Sequence, residues 1–211
     1  MSSNLQPMTD AVVTRAANVV RAGGVIAFPT ETFYGLGVTP FDPAAVFRLF
    51  QLKGRSPASS PILVLIRDRT ELESLVSEIS PSAELLMNAC WPGPLTIVFR
   101  ASAIVPRLVT ADTGTIGIRL SAAAPLRRLL EAVDGPLTGT SANRSGAVPA
   151  TTAEDVQAFL GVEVDLILNG GRTPGGLPST VVDTTVQPVR LVRQGALPRS
   201  AVLSIIGTLA A

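Results

Sequence analysis

The sequence predicts an α/β protein, a twisted mixed parallel and antiparallel sheet flanked by helices. Short apolar runs alternate with amphipathic stretches of helical period, the pattern of strands separated by helices. The link from residue 183 to residue 189 is too short for a helical crossover, so it permits an antiparallel hairpin and makes the sheet mixed. Hydrophobic residues make up 46% of the chain but aromatics only 4%, so the core must be aliphatic. At 211 residues, with no repeat or linker, the chain reads as a single domain over 1–211.

Thr9 or Asp10 caps a first helix whose Val12, Val13, Ala16, Val19 and Val20 share a face, and Gly23-Gly24 stops it. Residues 25–28 follow as a buried strand ending at Pro29. Asp42 before Pro43 is an N-cap with a first-turn proline, opening a helix that runs to about Lys53. Residues 62–66 are the next strand. Residues 68–76 and 80–89 read as two helices, the second stopped by Trp91-Pro92-Gly93-Pro94. Residues 95–99 and 116–120 are strands, residues 101–114 between them are a candidate flexible loop, and 125–133 is a helix. Thr151 or Thr152 caps another helix that ends at Gly161. Residues 166–168, 180–182 and 189–192 complete the strands, and 198–206 closes the chain as a helix.

Composition excludes several chemistries. The chain has no histidine and one cysteine, Cys90, so it cannot build a Ser-His-Asp or Cys-His nucleophile, a zinc site or an internal disulfide. No residue is assigned to a metal. Residues 1–9 lack a signal-like pattern and no apolar run is long enough to cross a membrane, so the expected location is the cytoplasm. Seventeen basic against sixteen acidic residues, evenly divided between the halves, give no global footprint for nucleic acid. Sixteen of the basic residues are arginine, and Lys53 is the single lysine. The single tyrosine and tryptophan, Tyr34 and Trp91, each fall in a loop punctuated by proline and glycine.

Neither a P-loop nor a dinucleotide-binding glycine motif is present. Instead, polar glycine-bearing segments follow the apolar strands, where α/β sheets bind ligands. They are Pro29 through Gly37, Lys53-Gly54-Arg55, Thr140 through Gly146, and Ser179 through Asp183 with Arg193-Gln194-Gly195 downstream. Guanidinium, ammonium, hydroxyl and amide donors without imidazole suit a site that binds and polarises anions, with phosphoryl or nucleotidyl transfer as the chemistry. Taken singly, each segment also reads as turns and caps, and Lys53 as a cation at a helix C-terminus.

Taken in order, these segments, with Trp91-Pro92-Gly93-Pro94-Leu95-Thr96 and Ile118-Arg119, resemble the YrdC-like family, the threonylcarbamoyl-AMP synthases of tRNA modification. The likeness runs over residues 23–196 and is to a short, single-domain form. It implies a concave basic cavity and a reaction that joins L-threonine, bicarbonate and ATP, with Mg²⁺ on the phosphates, into threonylcarbamoyl-AMP and pyrophosphate. Partner proteins would then pass the product to tRNA. By the same resemblance Lys53, Arg55, Ser141 and Asn143 face the nucleotide phosphates, assisted by Ser60, Thr115 and Arg193. Thr32, Arg119 and Ser179 hold threonine, with Arg119 as a fork on its carboxylate and Tyr34 shaping the pocket. Trp91 is assigned to structure. Leu65 stands where some members carry histidine, and Asn169 where aspartate is common. The alternatives are a carbamoyl-adenylate enzyme with another acceptor and a non-enzymatic module for double-stranded or transfer RNA.

Overall fold

The computed structural model describes residues 4–56 and 61–210. Among these, ten strands form one sheet: β1 (Leu5–Pro7), β2 (Ile26–Pro29), β3 (Tyr34–Gly37), β4 (Leu63–Ile66), β5 (Leu95–Arg100), β6 (Thr115–Leu120), β7 (Leu137–Ser141), β8 (Leu166–Asn169), β9 (Thr180–Asp183) and β10 (Arg190–Arg193). Their spatial order is β1-β8-β2-β3-β7-β4-β6-β5-β9-β10. Four pairings are parallel (β1 with β8, β8 with β2, β4 with β6, β5 with β9) and five antiparallel, so the sheet is mixed as expected. The β9–β10 hairpin across residues 183–190 is one of the antiparallel pairs.

Local chemistry sets the helices. Thr9 caps α1 (Asp10–Arg21), and Asp42 Oδ1 accepts from Ala44 N at 2.9 Å to start α2 (Pro43–Lys53), which Gly54 ends at φ 62°. A one-turn α3 (Leu72–Leu75) and α4 (Pro81–Cys90, capped by Ser80) follow. After them come a one-turn α5 (Arg107–Thr110) and α6 (Ala124–Val133). α7 (Ala153–Leu160) opens on a reciprocal box between Thr152 and Asp155, and α8 (Arg199–Ile206) closes the chain.

Strand alternation sorts the core onto two faces. Ile26, Phe28, Leu65, Leu166 and Leu168 pack with the apolar stripes of α1 and α6, whereas Ala27, Val64, Ile66 and Ile167 point into the larger cluster on the other side. No helix among the described residues is long and apolar enough to cross a membrane.

The architecture differs from the sequence expectation in five places. β1, β3 and β7 were not expected. Residues 68–76 form a 3-10 turn (Arg69–Glu71) running into the single turn of α3, because Asp68 accepts from Thr70 N in a tight local turn. The loop at 101–114 contains α5, which buries Val109 and Thr110. Tyr34 lies in a strand, not a loop.

Candidate active site

One concavity of about 1280 Å³ opens on the face that carries Phe28 and Leu65, over the part of the sheet formed by β7, β4, β6, β5 and β9. Its floor includes Gly35, Gly117 and Gly139. Their missing side chains are not incidental. A Cβ on Gly139 would lie 2.7 Å from Leu65 Cδ1, and one on Gly35 3.0 Å from the Phe28 ring. The same ring excludes a side chain at Gly37, where a Cβ would also meet Thr138 O at 2.7 Å. Gly35 and Gly37 therefore admit the Phe28 ring, and Gly139 admits Leu65.

The end of α2 and the turn after β7 meet on one wall. Lys53, only 5% exposed, donates from Nζ to Ser141 O (2.6 Å), Asn143 O (2.6 Å) and Asn143 Oδ1 (2.9 Å). An ammonium has three protons, so these bonds use all of them. Burial, and then the Arg55 guanidinium, push Lys53 down to about 8. Asn143 Oδ1 also accepts from Ser141 Oγ at 2.6 Å, and its Nδ2 donates to Ala147 O. Ser145 N donates to Lys53 O, tying the turn back to the helix. The knot holds the turn in one shape, with Arg55 beside it on the cavity lining.

The opposite wall is built around Arg119 and Ser179. Arg119, 4% exposed, donates from Nε to Gly93 O at 3.2 Å, and its Nη2 lies 2.5 Å from Glu31 Oε1 in an ion pair. That Nη2 is buried and aligned with no acceptor. Glu31 also accepts from Ser121 Oγ and from Ala122 N (3.3 Å). Burial alone would raise the Glu31 pKa, but the adjacent Arg119 charge and the hydrogen bond from Ser121 outweigh it and hold the carboxyl below its ordinary value.

Ser179 Oγ shares a hydrogen bond with Thr96 Oγ1 at 2.9 Å, and Ser179 O accepts from Arg193 Nε and Nη2 at 3.3 and 2.9 Å. Burial and the nearby Arg119 charge lower the Arg193 pKa. Gly195 lies flush beneath this corner, where a Cβ would sit 2.1 Å from Pro178 O.

Between the walls, Thr32 Oγ1 pairs with Thr30 Oγ1 at 3.2 Å, and Thr115 Oγ1 pairs with Thr113 Oγ1 at 2.8 Å. Tyr34 also lines the cavity, but its buried hydroxyl donates to Gly171 O at 2.7 Å and accepts from Gly170 N at 3.3 Å. It ties the glycine-rich loop to β3. Desolvation raises its pKa.

Of the residues singled out in the sequence, the structure brings Thr32, Tyr34, Lys53, Arg55, Thr115, Arg119, Ser141, Asn143, Ser179 and Arg193 to the one cavity, while Ser60 lies outside the described residues. Trp91 is absent from the cavity lining; its Nε1 donates to Leu95 O at 2.7 Å and its ring packs on Phe99 at 6.3 Å. Thr96 and Glu31 fall in segments singled out in the sequence but were given no role there, and Ser121 was missed. Glu31 was visible between Thr30 and Thr32, but nothing local tied it to an arginine on β6.

Comparison with known proteins gives the family. The family described as "Telomere recombination" (Sua5/YciO/YrdC) matches residues 18–195. The chain is 41% identical over 192 residues to a threonylcarbamoyl-AMP synthase of Pyrococcus abyssi, covering 91% of this chain but 56% of that protein. It is 36% identical to a threonylcarbamoyl-AMP synthase of Vibrio vulnificus, covering 92% of this chain and all of that one. The crystal structure of P. abyssi Sua5 complexed with L-threonine superposes with a TM-score of 0.92 at 36% identity, over 98% of this chain and 61% of that one. The chain thus spans little more than half the length of its P. abyssi relative.

Proposed function

The chain belongs to the Sua5/YciO/YrdC family, and we propose that it makes L-threonylcarbamoyl-AMP and pyrophosphate from L-threonine, bicarbonate and ATP. The observation that carries this reading is the division of one cavity into two polar walls. The Lys53–Ser141–Asn143 knot with Arg55 suits phosphate oxygens, and the Arg119–Ser179 corner suits a carboxylate. The relatives' names and the threonine complex of the P. abyssi protein support the same assignment.

The chemistry asks for positioning. The amine of threonine takes up bicarbonate carbon with loss of water, giving a carbamate. One carbamate oxygen then attacks the α-phosphorus of ATP, forming the P–O bond of the mixed anhydride as the bond to pyrophosphate breaks. The substrate supplies its own nucleophile, so the protein needs to hold the reactants in line and stabilise the phosphate charge. Mg²⁺ enters as part of the nucleotide substrate.

On the phosphate wall Ser141 Oγ and Arg55 would meet the nucleotide, with Thr115 between the walls and Arg193 reaching toward its phosphates from the opposite corner. Lys53 would act through the turn it holds, because its three protons are already placed. On the other wall Arg119, Thr32 and Ser179 would take threonine. Nε of Arg119 is spent on Gly93, so a carboxylate would meet the Nη edge. The product would pass to tRNA through partner proteins, in the cytoplasm where ATP and bicarbonate are supplied.

The test is pyrophosphate release with ATP, L-threonine and bicarbonate, each omitted in turn. Release that requires all three, with an adenylate of the expected mass, supports the proposal. Release indifferent to threonine would point to a carbamoyl-adenylate enzyme with another acceptor, and salt-sensitive tRNA binding without turnover to an RNA module.

A further inference from the structure

Arg119 is the most buried cation that lines the cavity, and it is not free to choose its orientation. Nε is fixed by Gly93 O, and Nη2 is drawn against Glu31 Oε1. Glu31 is itself gripped, with Oε2 held by Ser121 Oγ and Oε1 by Ala122 N, so the carboxylate is a fixed post. Glu31 is not among the residues that line the cavity; it pairs with the arginine that does.

The post is needed because a second guanidinium stands nearby. Arg193 reaches Ser179 O through Nε and Nη2, close enough that the Arg119 charge depresses its pKa. Two like charges at one corner repel, and a long arginine side chain carries substantial rotamer freedom with which to relieve that repulsion by turning away.

We propose that Glu31 is a positioning residue: it anchors the Arg119 guanidinium against Arg193 so that its outer edge is presented to a substrate carboxylate. The inference rests on the proposed function for the identity of that carboxylate, L-threonine, but not for the existence of the anchor. Glu31 makes no contact with the ligand; it acts through Arg119.

The experiment compares binding of L-threonine and L-threoninamide, whose carboxylate is replaced by a neutral amide, in wild type, Glu31→Gln and Ser121→Ala, alongside steady-state kinetics. Glu31→Gln keeps the size of the side chain and a hydrogen-bonding partner for Ser121 but removes the anionic post. It is expected to weaken L-threonine binding by about 10–100-fold, raise the KM for threonine far more than that for ATP, and narrow the preference for threonine over the amide. Ser121→Ala is expected to move the same quantities in the same direction by less. Thermal unfolding of each variant separates a misfolded protein from a mispositioned arginine. Unchanged or tighter threonine binding in folded Glu31→Gln, with the preference over the amide intact, overturns the positioning role. Failure of wild type to bind threonine at all overturns instead the proposed function on which the choice of ligand rests.

Discussion

Replacing Lys53 by methionine separates what the ammonium costs the fold from what it does for the site. The fall of its pKa from 10.5 to about 8 corresponds to about 3 kcal/mol against folding at pH 7. Against that stand the three acceptors, Ser141 O, Asn143 O and Asn143 Oδ1, which methionine leaves without a donor at a cost of about 1 kcal/mol each. The two nearly offset, so Lys53→Met should lose less than about 2 kcal/mol of stability at pH 7. Turnover should nevertheless fall well over tenfold, as the turn carrying Ser141 and Asn143 loses its anchor, a loss on the scale of about 1.4 kcal/mol per decade.

The pH dependence sharpens this. Below pH 8 Lys53 is charged in folded and unfolded chains alike and the folding cost is present in full. Between pH 8 and 10.5 the unfolded chain keeps the proton and the folded one has lost it, so stability rises with pH. Wild type should therefore gain on Lys53→Met by up to about 3 kcal/mol across that window, while its turnover falls as the neutral amine leaves one of three acceptors without a donor. Urea unfolding of both proteins from pH 7 to 10, with pyrophosphate release measured in parallel, reads both arms. A stability difference flat across that range, or near-normal turnover in Lys53→Met, would refute the reasoning.

Gly195→Ala places a methyl 2.1 Å from Pro178 O and 2.6 Å from the Ser179 carbonyl carbon. Backbone must move, at a cost of about 1–3 kcal/mol in urea unfolding, and the displaced Ser179 and Arg193 should depress turnover with it. Trp91→Phe deletes the bond to Leu95 O and should cost about 1–3 kcal/mol in thermal unfolding while leaving both substrate KM values unchanged, since Trp91 is not on the cavity lining. Thr152→Ala removes half of the α7 capping box and should cost about 0.5–2 kcal/mol with normal turnover.

Helices were legible because their signals are local. Thr9, Asp42-Pro43, Ser80-Pro81 and Thr152 each sit at the start of a helix and bond to its own first amides. The residues of the site were legible as motifs, but their roles relative to one another were not. Lys53 reads as a free phosphate-seeking cation until the structure places three acceptors around it, and Arg119 reads as a fork until Gly93 and Glu31 occupy two of its three nitrogens.

The missed strands β3 and β7 have one cause. Tyr34–Gly37 carries two glycines and Leu137–Ser141 carries one, so neither shows the apolar alternation that marks a strand. Those glycines are required by side chains on neighbouring strands: Gly35 and Gly37 by the Phe28 ring of β2, Gly139 by Leu65 of β4. Packing those side chains against bare backbone is also what leaves the sheet floor hollow at Gly35, Gly117 and Gly139, where the cavity lies. Sequence reasoning therefore failed at these strands for the reason that makes them useful. A strand that gives up its side chains to make a binding surface gives up the pattern by which strands are found, and a glycine-broken strand between two well-formed neighbours is itself a signal of where to look for a site.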